Sequence, residues 1–387
     1  MNLRRLTERP WFYSLILGAT ILKFSLFFYI MRIIPEAFYD PDSYQYIKDA
    51  DSILSFLINP AQGLTHSMFA LPGYPLFLFF WRHIIGFSVY HVIFIQILFN
   101  FITALMVAKI ARSINPKWEI LSLFIVLFDT PLTIYSQLIM TESIFIFALV
   151  YFIYCFHQYI TTPGYKLLIG ATLALTVCGF IRPVAYFLPL VVAAFVICFR
   201  SAGNWKKSLI HAILILLVFY GLGLPWKYRN YKRYGDARLS SIGNVTVKLH
   251  SFLIDSKTKK EEVAPTTPNY LYYPYAFSRN ILELMTTPGS TKHCQSSVLL
   301  GFTKVFGYIF IVFWIPGFVV GLTWGGKDKR YIILIWIFLY FLCATIWATG
   351  WTVTSRFRIA MLPSIAIISS AGWLKIRLWW KTVKKTS

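Results

Sequence analysis

The chain has 387 residues, of which 57% are hydrophobic, 19% are aromatic and only 13% are charged. A soluble protein of this composition would expose too much apolar surface to stay dispersed. A disordered chain would be poor in aromatic residues and rich in charge. The composition therefore predicts an all-α polytopic membrane protein, with room for about ten spans of roughly 20 residues each.

The chain is strongly basic, with 37 Lys and Arg against 15 Asp and Glu and a formal net charge of +22. In a soluble protein this excess would indicate nucleic-acid binding. In a membrane protein it indicates basic cytoplasmic loops and sites for anionic lipid, so no nucleic-acid partner is expected. The five cysteines lie mostly in apolar runs and predict no disulfide framework.

Ten apolar runs predict the membrane spans, at residues 11–34, 89–111, 118–137, 141–160, 166–181, 184–200, 207–225, 298–324, 331–350 and 359–375. With the N-terminus in the cytoplasm, every inner loop is basic, so ten spans with both ends inside are self-consistent. The first run follows three arginines and has no small-residue cleavage site, which predicts an uncleaved anchor. The pair 166–181 and 184–200 is short and also fits a broken hairpin that does not fully span.

The predicted architecture is a single integral membrane domain over residues 1–387 with two long outer loops, 35–88 and 226–297. An apolar stretch at 73–86 in the first loop is too short to span and contains Arg82 and His83. We expect an interfacial or re-entrant helix there. The second loop is rich in Pro and Tyr, which is typical of irregular structure with short helices.

Acidic residues gather in the first outer loop. Asp40, Asp42, Asp49 and Asp51 lie close together in a chain that is poor in acids. Asp42 followed by a serine is typical of a helix N-cap, which favours a structural role. Carboxylates beside lipid phosphates are unfavourable unless a cation compensates, which favours a functional role. The spacing alone leaves both interpretations open.

Glu142 begins the fourth predicted span on the outer side. A helix N-terminus favours a glutamate through its macrodipole, which is a structural explanation. An acidic residue at membrane depth instead indicates a functional site with a basic partner. Arg182 is predicted on the same side of the membrane and would be that partner.

Basic residues also occur where the positive-inside rule disfavours them. Lys227, Arg229 and Lys232 follow the seventh span outward and alternate with aromatic residues. Such a mixture at the headgroup boundary suits a phosphate held beside a lipid tail. Arg356 and Arg358, just before the last span, repeat this pattern on the same side.

Two classes of site are not expected. His66, His250 and His293 lie in outer loops without the spacing of metal ligands, so metal binding by these histidines is not predicted. The sequence also has no glycine-rich phosphate loop or dinucleotide fingerprint, so a soluble nucleotide donor is not expected.

In this order, the motifs resemble those of the polytopic glycosyltransferases that use polyprenyl-phosphate sugars, the GT-C superfamily. Relatives there include the protein O-mannosyltransferases and the aminoarabinose transferase of lipid A. The chain is shorter than many of these proteins, whose additional parts often contribute to acceptor binding. The matching motifs are Asp42, Tyr46 and Ala50; Leu71 to Pro75; Thr141-Glu142; Arg182-Pro183; Pro225 to Tyr231; and Arg356, Arg358 and Pro363.

The resemblance implies a membrane glycosyltransferase that inverts the anomeric carbon. Asp42 would act as base, with Glu142 as the second catalytic residue and Asp40 as a further acidic candidate. A divalent metal ion helps in some relatives, and here its ligands would be Asp42 and Glu142. The residues implied to bind the donor phosphate are Arg182, Lys227, Arg229, Lys232, Arg356 and Arg358.

The implied partners are a polyprenyl-phosphate sugar and a glycan, lipid or protein acceptor. The implied location is a bacterial inner membrane, with the site on the periplasmic face. Two other classes fit the same composition. A transporter or flippase of lipid-linked sugars would need a polar path, whereas the predicted spans are nearly free of charge apart from Lys23. A membrane polysaccharide polymerase, or a non-catalytic subunit of a glycosyltransferase complex, is the other alternative.

Overall fold

A computed structural model describes residues 10–59, 67, 70–200, 203–240, 269–288, 297–323, 328–349 and 355–386. Every regular element within these ranges is a helix, and they contain no β-strand, so the all-α prediction is confirmed for this part of the chain. His66, His250, His293 and the first nine residues lie outside the described ranges.

Fourteen α-helices occur in the described ranges. They are α1 Pro10–Ile33, α2 Pro41–Ile58, α3 Gly73–Phe79, α4 Val89–Ile114, α5 Glu119–Leu127, α6 Thr130–Tyr135, α7 Glu142–Thr161, α8 Tyr165–Ile181, α9 Leu188–Cys198, α10 Trp205–Tyr234, α11 Asn269–Thr286, α12 Ser297–Leu322, α13 Lys329–Thr349 and α14 Leu362–Thr386. A π-helical turn, Phe80–Ile84, extends α3, and a 3₁₀ turn, Ser355–Met361, leads into α14.

In the described part of the chain, seven helices are long and apolar enough to cross a membrane, namely α1, α4, α7, α10, α12, α13 and α14 with its preceding 3₁₀ turn. The chain is therefore described as a multi-pass membrane protein. The three other predicted spans are also helical but shorter. Helix α8 has 17 residues and α9 has 11, against about 20 needed for a full crossing. The count of ten spans stays a prediction.

The predicted span 118–137 is broken between α5 and α6. Asp129 ends the first half and caps the second, because its carboxylate accepts a hydrogen bond from the Leu132 amide at 2.9 Å. Pro131 in the first turn of α6 favours a helix start at this point. The sequence Asp-Thr-Pro within an apolar run therefore starts a new helix rather than continuing the old one.

Polar side chains from neighbouring helices support this broken span. Gln96 of α4 donates to the Leu138 carbonyl at 2.6 Å. The buried ammonium of Lys23 in α1 donates to the Thr133 hydroxyl at 2.8 Å, and Gln137 donates to the Lys23 carbonyl at 3.1 Å. Irregular backbone at membrane depth is stable only where such partners replace the missing helical bonds. Lys23 thus makes a local structural contact.

The irregular stretch after α6 is attached to the start of α2. The Ser43 hydroxyl donates to the Ile139 carbonyl at 2.8 Å, and the Ile139 amide donates to the Phe38 carbonyl at 3.0 Å. These contacts bring the beginning of α2, with Asp42, next to the beginning of α7, with Glu142.

The short helix expected within residues 73–86 is present as α3 and its π-helical turn. Gly73 lies so close to the end of α8 that an added Cβ would be 2.7 Å from the Phe180 carbonyl oxygen. Arg82 and His83 both contact the Asp51 carboxylate of α2, at 3.2 and 2.8 Å. The interfacial or re-entrant position of α3 stays a prediction.

Several predicted inner loops meet at the opposite end of the bundle. Lys329 donates to the Phe199 carbonyl at 2.7 Å, and Arg330 donates to the Ser113 carbonyl at 2.5 Å. Both basic residues begin α13, whose other end lies shortly before the 3₁₀ turn at Ser355. The helix therefore separates these loops from the end that holds α2 and Glu142.

Helices α12 and α14 pack through glycines. A Cβ built on Gly372 would overlap the backbone carbonyl of Gly317, and one on Gly321 would overlap the carbonyl of Ile368. Small residues four apart allow this close approach between membrane helices. The contact depends on backbone, which cannot move aside as a side chain can.

We expect Gly372→Ala to lower the free energy of unfolding by about 1–3 kcal/mol, the usual cost of overpacking a tight contact. Gly221→Ala in α10 is the matched control, since within the described ranges no atom from outside its own turn of helix lies within 4 Å of its added Cβ. Thermal unfolding of both purified variants in detergent would measure the difference. Equal midpoints would contradict the packing described here.

Candidate functional site

Four of the residues predicted for the site meet at one end of the bundle. They are Asp42 in the first turn of α2, Glu142 at the start of α7, Arg182 at the C-terminal cap of α8, and Arg356 in the 3₁₀ turn before α14. We call them the ion-pair cluster. Its members come from four widely separated parts of the sequence.

Glu142 holds two guanidinium groups. Arg182 Nη1 donates to Glu142 Oε1 at 2.8 Å, and Arg356 Nε donates to the same oxygen. Arg356 also pairs through Nη1 with Asp42 Oδ2 at 3.3 Å. Arg356 therefore links the buried carboxylate of Glu142 to the carboxylate of Asp42.

Within the ion-pair cluster, solvent exposure of the carboxylates increases from Glu142 to Asp42. The Glu142 side chain is fully buried, whereas that of Asp42 is 31% exposed. Two carboxylates and two guanidinium groups balance in charge, which is the condition for burying ions at low energetic cost. Glu142 is thus suited to positioning the two arginines, while Asp42 is the acid that an incoming molecule can reach.

Asp40 acts locally on Asp42. Its carboxylate accepts a hydrogen bond from the Asp42 amide at 3.2 Å, and its own amide donates one to the Ser43 hydroxyl at 2.9 Å. This reciprocal pair is a capping box at the N-terminus of α2. The N-cap predicted at Asp42 was therefore wrong by two residues: Asp40 caps α2, and Asp42 lies in its first turn as the carboxylate that contacts Arg356.

Tyr46 also belongs to the site, although the sequence predicted no role for it beyond its place in the motif with Asp42 and Ala50. It lies one helical turn after Asp42, is buried, and packs edge to face on Tyr74 with ring centroids 5.1 Å apart. Burial raises the pKa of Tyr46 to about 12, and the charge of Arg356 opposes this rise. Tyr46 is therefore a neutral hydroxyl beside the ion-pair cluster.

Lys227 lies at a second feature, a small, mostly apolar cavity lined by α8, α10, Tyr186 and Leu239. Its ammonium donates to the Tyr186 hydroxyl at 2.8 Å and lies 5.2 Å from the centre of that ring. The walls are largely aromatic and include Phe180, Phe219 and Tyr220. One positive charge thus borders an apolar space.

Arg229 and Lys232 have other neighbours. Arg229 stacks on Trp226 at 4.7 Å and donates to the Asn230 side chain at 2.7 Å. Lys232 lies 5.7 Å from the Tyr228 ring. The helix places Lys227 on a different face from Arg229 and Lys232, as its period requires.

Asp49, which the sequence analysis named without assigning it to the site, connects α2 to Ser67. Its carboxylate accepts hydrogen bonds from the Ser67 amide and hydroxyl at 2.9 and 3.0 Å. Its charge also acts on Arg229. Asp49 lies seven residues after Asp42, so both face the same side of α2. This spacing is the signal that would have identified it.

Arg358 contacts the end of α11 and not the ion-pair cluster. Its Nη1 donates to the carbonyls of Leu284, Met285 and Thr287, at 3.0, 3.1 and 2.9 Å. A basic residue on the last carbonyls of a helix stabilises its C-terminus. Arg358 therefore caps α11 in this structure, in place of the donor-phosphate contact that its spacing from Arg356 suggested.

Asp42 and Glu142 do not fit a metal site as they stand, because Arg356 contacts both carboxylates. The described ranges contain no group of three or more His, Cys, Asp or Glu side chains arranged to hold a metal ion. Comparison with protein-family models and with curated proteins gives no match. The function is therefore inferred from the chemistry of these residues.

We expect Glu142→Gln to lower the free energy of unfolding by roughly 3 kcal/mol, since it removes the buried anion that two mostly buried guanidinium groups share. Asp51→Asn is the matched control. Asp51 also pairs with an arginine, but its side chain is 49% exposed, and such pairs contribute at most about 1 kcal/mol. Thermal unfolding followed by tryptophan fluorescence would compare them. A larger loss of unfolding free energy for Asp51→Asn than for Glu142→Gln would contradict this expectation.

Proposed function

We propose that the chain is a membrane glycosyltransferase. It transfers a hexosyl or pentosyl group from a polyprenyl-phosphate donor to an acceptor hydroxyl, with inversion of the anomeric carbon. The observation that carries the proposal is the ion-pair cluster, in which Asp42, Glu142, Arg182 and Arg356 lie in one contact network. Each had been predicted for this chemistry from a separate motif.

Asp42 is the proposed base. Arg356 binds Oδ2, which fixes the orientation of the carboxylate. In the described part of the chain no side chain pairs with Oδ1, which leaves this oxygen to take the proton of the acceptor hydroxyl. The acceptor oxygen then bonds to the anomeric carbon while the bond from that carbon to the phosphate oxygen breaks.

The leaving group is a lipid phosphate, whose negative charge grows as the bond breaks. Arg356, Arg182 and Lys227 supply positive charge at the same end of the bundle. A guanidinium held by Glu142 is already oriented and needs little rearrangement when that charge develops. Glu142 is therefore proposed to position these arginines.

Lys227 suits the donor because charge and apolar space meet there. A lipid phosphate would bind the ammonium, and the first part of the polyprenyl chain would run over the aromatic side chains that border the cavity. Arg229 and Lys232 add positive charge nearby on the same helix.

The proposed topology has ten spans, with both ends in the cytoplasm and the ion-pair cluster on the outer face. In a bacterial cell this is the periplasmic side of the inner membrane, where the acceptor is a glycan, a lipid or a protein. The basic residues gathered at the opposite end, Lys329 and Arg330 among them, support this orientation.

We expect Asp42→Asn to fold and bind donor but to lose roughly 10²–10⁴-fold in transfer rate, the usual contribution of a general base. Asp51→Asn, on the opposite side of α2, should keep normal turnover. A radiolabelled polyprenyl-phosphate sugar and extracted membrane acceptors would supply the assay. Normal turnover by Asp42→Asn would remove it from the mechanism, and movement of donor across vesicles without transfer would favour a transporter.

For donor binding, we expect Lys227→Gln to weaken the affinity for polyprenyl phosphate about tenfold or more, because a charge-assisted phosphate contact contributes about 1.5–3 kcal/mol. Lys232→Gln removes the same charge outside the cavity and should have a smaller effect. Scintillation proximity binding of labelled lipid would measure both. Equal losses of affinity in the two variants would indicate that the phosphate binds away from the cavity.

A further inference from the structure

The last part of α14 extends beyond the bundle. The helix is buried as far as Ala371, and Lys375 donates to the carbonyl and hydroxyl of Thr323, just past the end of α12. Residues 376–386 continue from there as α-helix. At 1.5 Å per residue they reach about 16 Å past the end of α12, at the end of the bundle opposite the ion-pair cluster.

This extension has two different sides. With 100° between successive helical residues, Trp379 and Val383 fall on one side, and Trp380 falls at its edge. Arg377, Lys381 and Lys384 fall on the other. The two tryptophans are 63% and 57% exposed, so the bundle does not cover them. The extension is therefore an amphipathic helix whose polar side is basic.

The acidic residues near this extension already form ion pairs with other basic residues. Glu119 pairs with Arg112 at 3.3 Å, and Asp328 pairs with Arg330 at 2.7 Å. Within the described ranges, Arg377, Lys381 and Lys384 take part in no ion pair. Their positive charge thus faces outward and calls for an anionic partner that approaches from outside the bundle.

We propose that this extension binds the headgroups of anionic phospholipids in the leaflet at its end of the bundle. Tryptophan rings favour the boundary between headgroups and acyl chains. Clustered Lys and Arg directly after a span attract anionic lipids, and a guanidinium binds two phosphate oxygens at once. The helix offers both features directly after its last span, with Trp379 opposite the basic residues. This inference does not depend on the proposed glycosyl transfer.

The test compares two triple variants of the full chain in detergent, titrated with phosphatidylglycerol or phosphatidylcholine, with bound lipids counted by native mass spectrometry. One variant carries Arg377→Gln, Lys381→Gln and Lys384→Gln. The control carries Lys166→Gln, Lys206→Gln and Lys207→Gln, which removes the same charge from exposed positions elsewhere.

The wild-type chain should retain phosphatidylglycerol in preference to phosphatidylcholine. Each basic residue near an anionic surface strengthens binding roughly fivefold, so the first variant should bind phosphatidylglycerol about 100-fold more weakly. The control should keep most of the preference. An unchanged preference in the first variant would overturn the proposal. Loss of a co-purified acidic protein, with lipid preference intact, would also overturn it and assign the surface to that protein.

Discussion

The shared guanidinium of Arg356 is the contact on which the site depends. It joins Glu142, which is fully buried, to Asp42, which is partly exposed. A buried carboxylate is stable only when its charge is compensated, and removing one partner of such a pair is costly. The contact that compensates the buried charge of Glu142 therefore also fixes the position of Arg356 beside Asp42. Stability and the arrangement of the site have one cause.

The rest of the fold serves to bring these distant residues together. The break after α5 leaves irregular backbone at membrane depth, and side chains from α1 and α4 hold it in place. That backbone in turn receives the hydroxyl of Ser43 and so positions α2. Buried polar groups usually mark function in membrane proteins, but here Lys23 and Gln96 act through the backbone that leads to Glu142.

Much of this could be predicted from sequence, for identifiable reasons. Apolar runs located the seven helices that are long and apolar enough to span, and Glu142 and Arg182 could be paired because topology put both on one side. The contact between Asp42 and Arg356 could not, since 314 residues separate them. Arg358 and Arg356 have different neighbours because a 3₁₀ turn rotates by about 120° per residue, so residues two apart point in different directions. The break at Asp129 was hidden by the apolar residues around it.

The most direct test is mass spectrometry of the lipids extracted from the purified chain. The central claim is that a sugar on a lipid monophosphate meets Asp42 beside Arg356 and Lys227. If it holds, a polyprenyl-monophosphate sugar co-purifies with the wild-type chain and also with Asp42→Asn, in which transfer is blocked but the basic groups remain. A polyprenyl-diphosphate glycan in its place would contradict the account and indicate a polymerase.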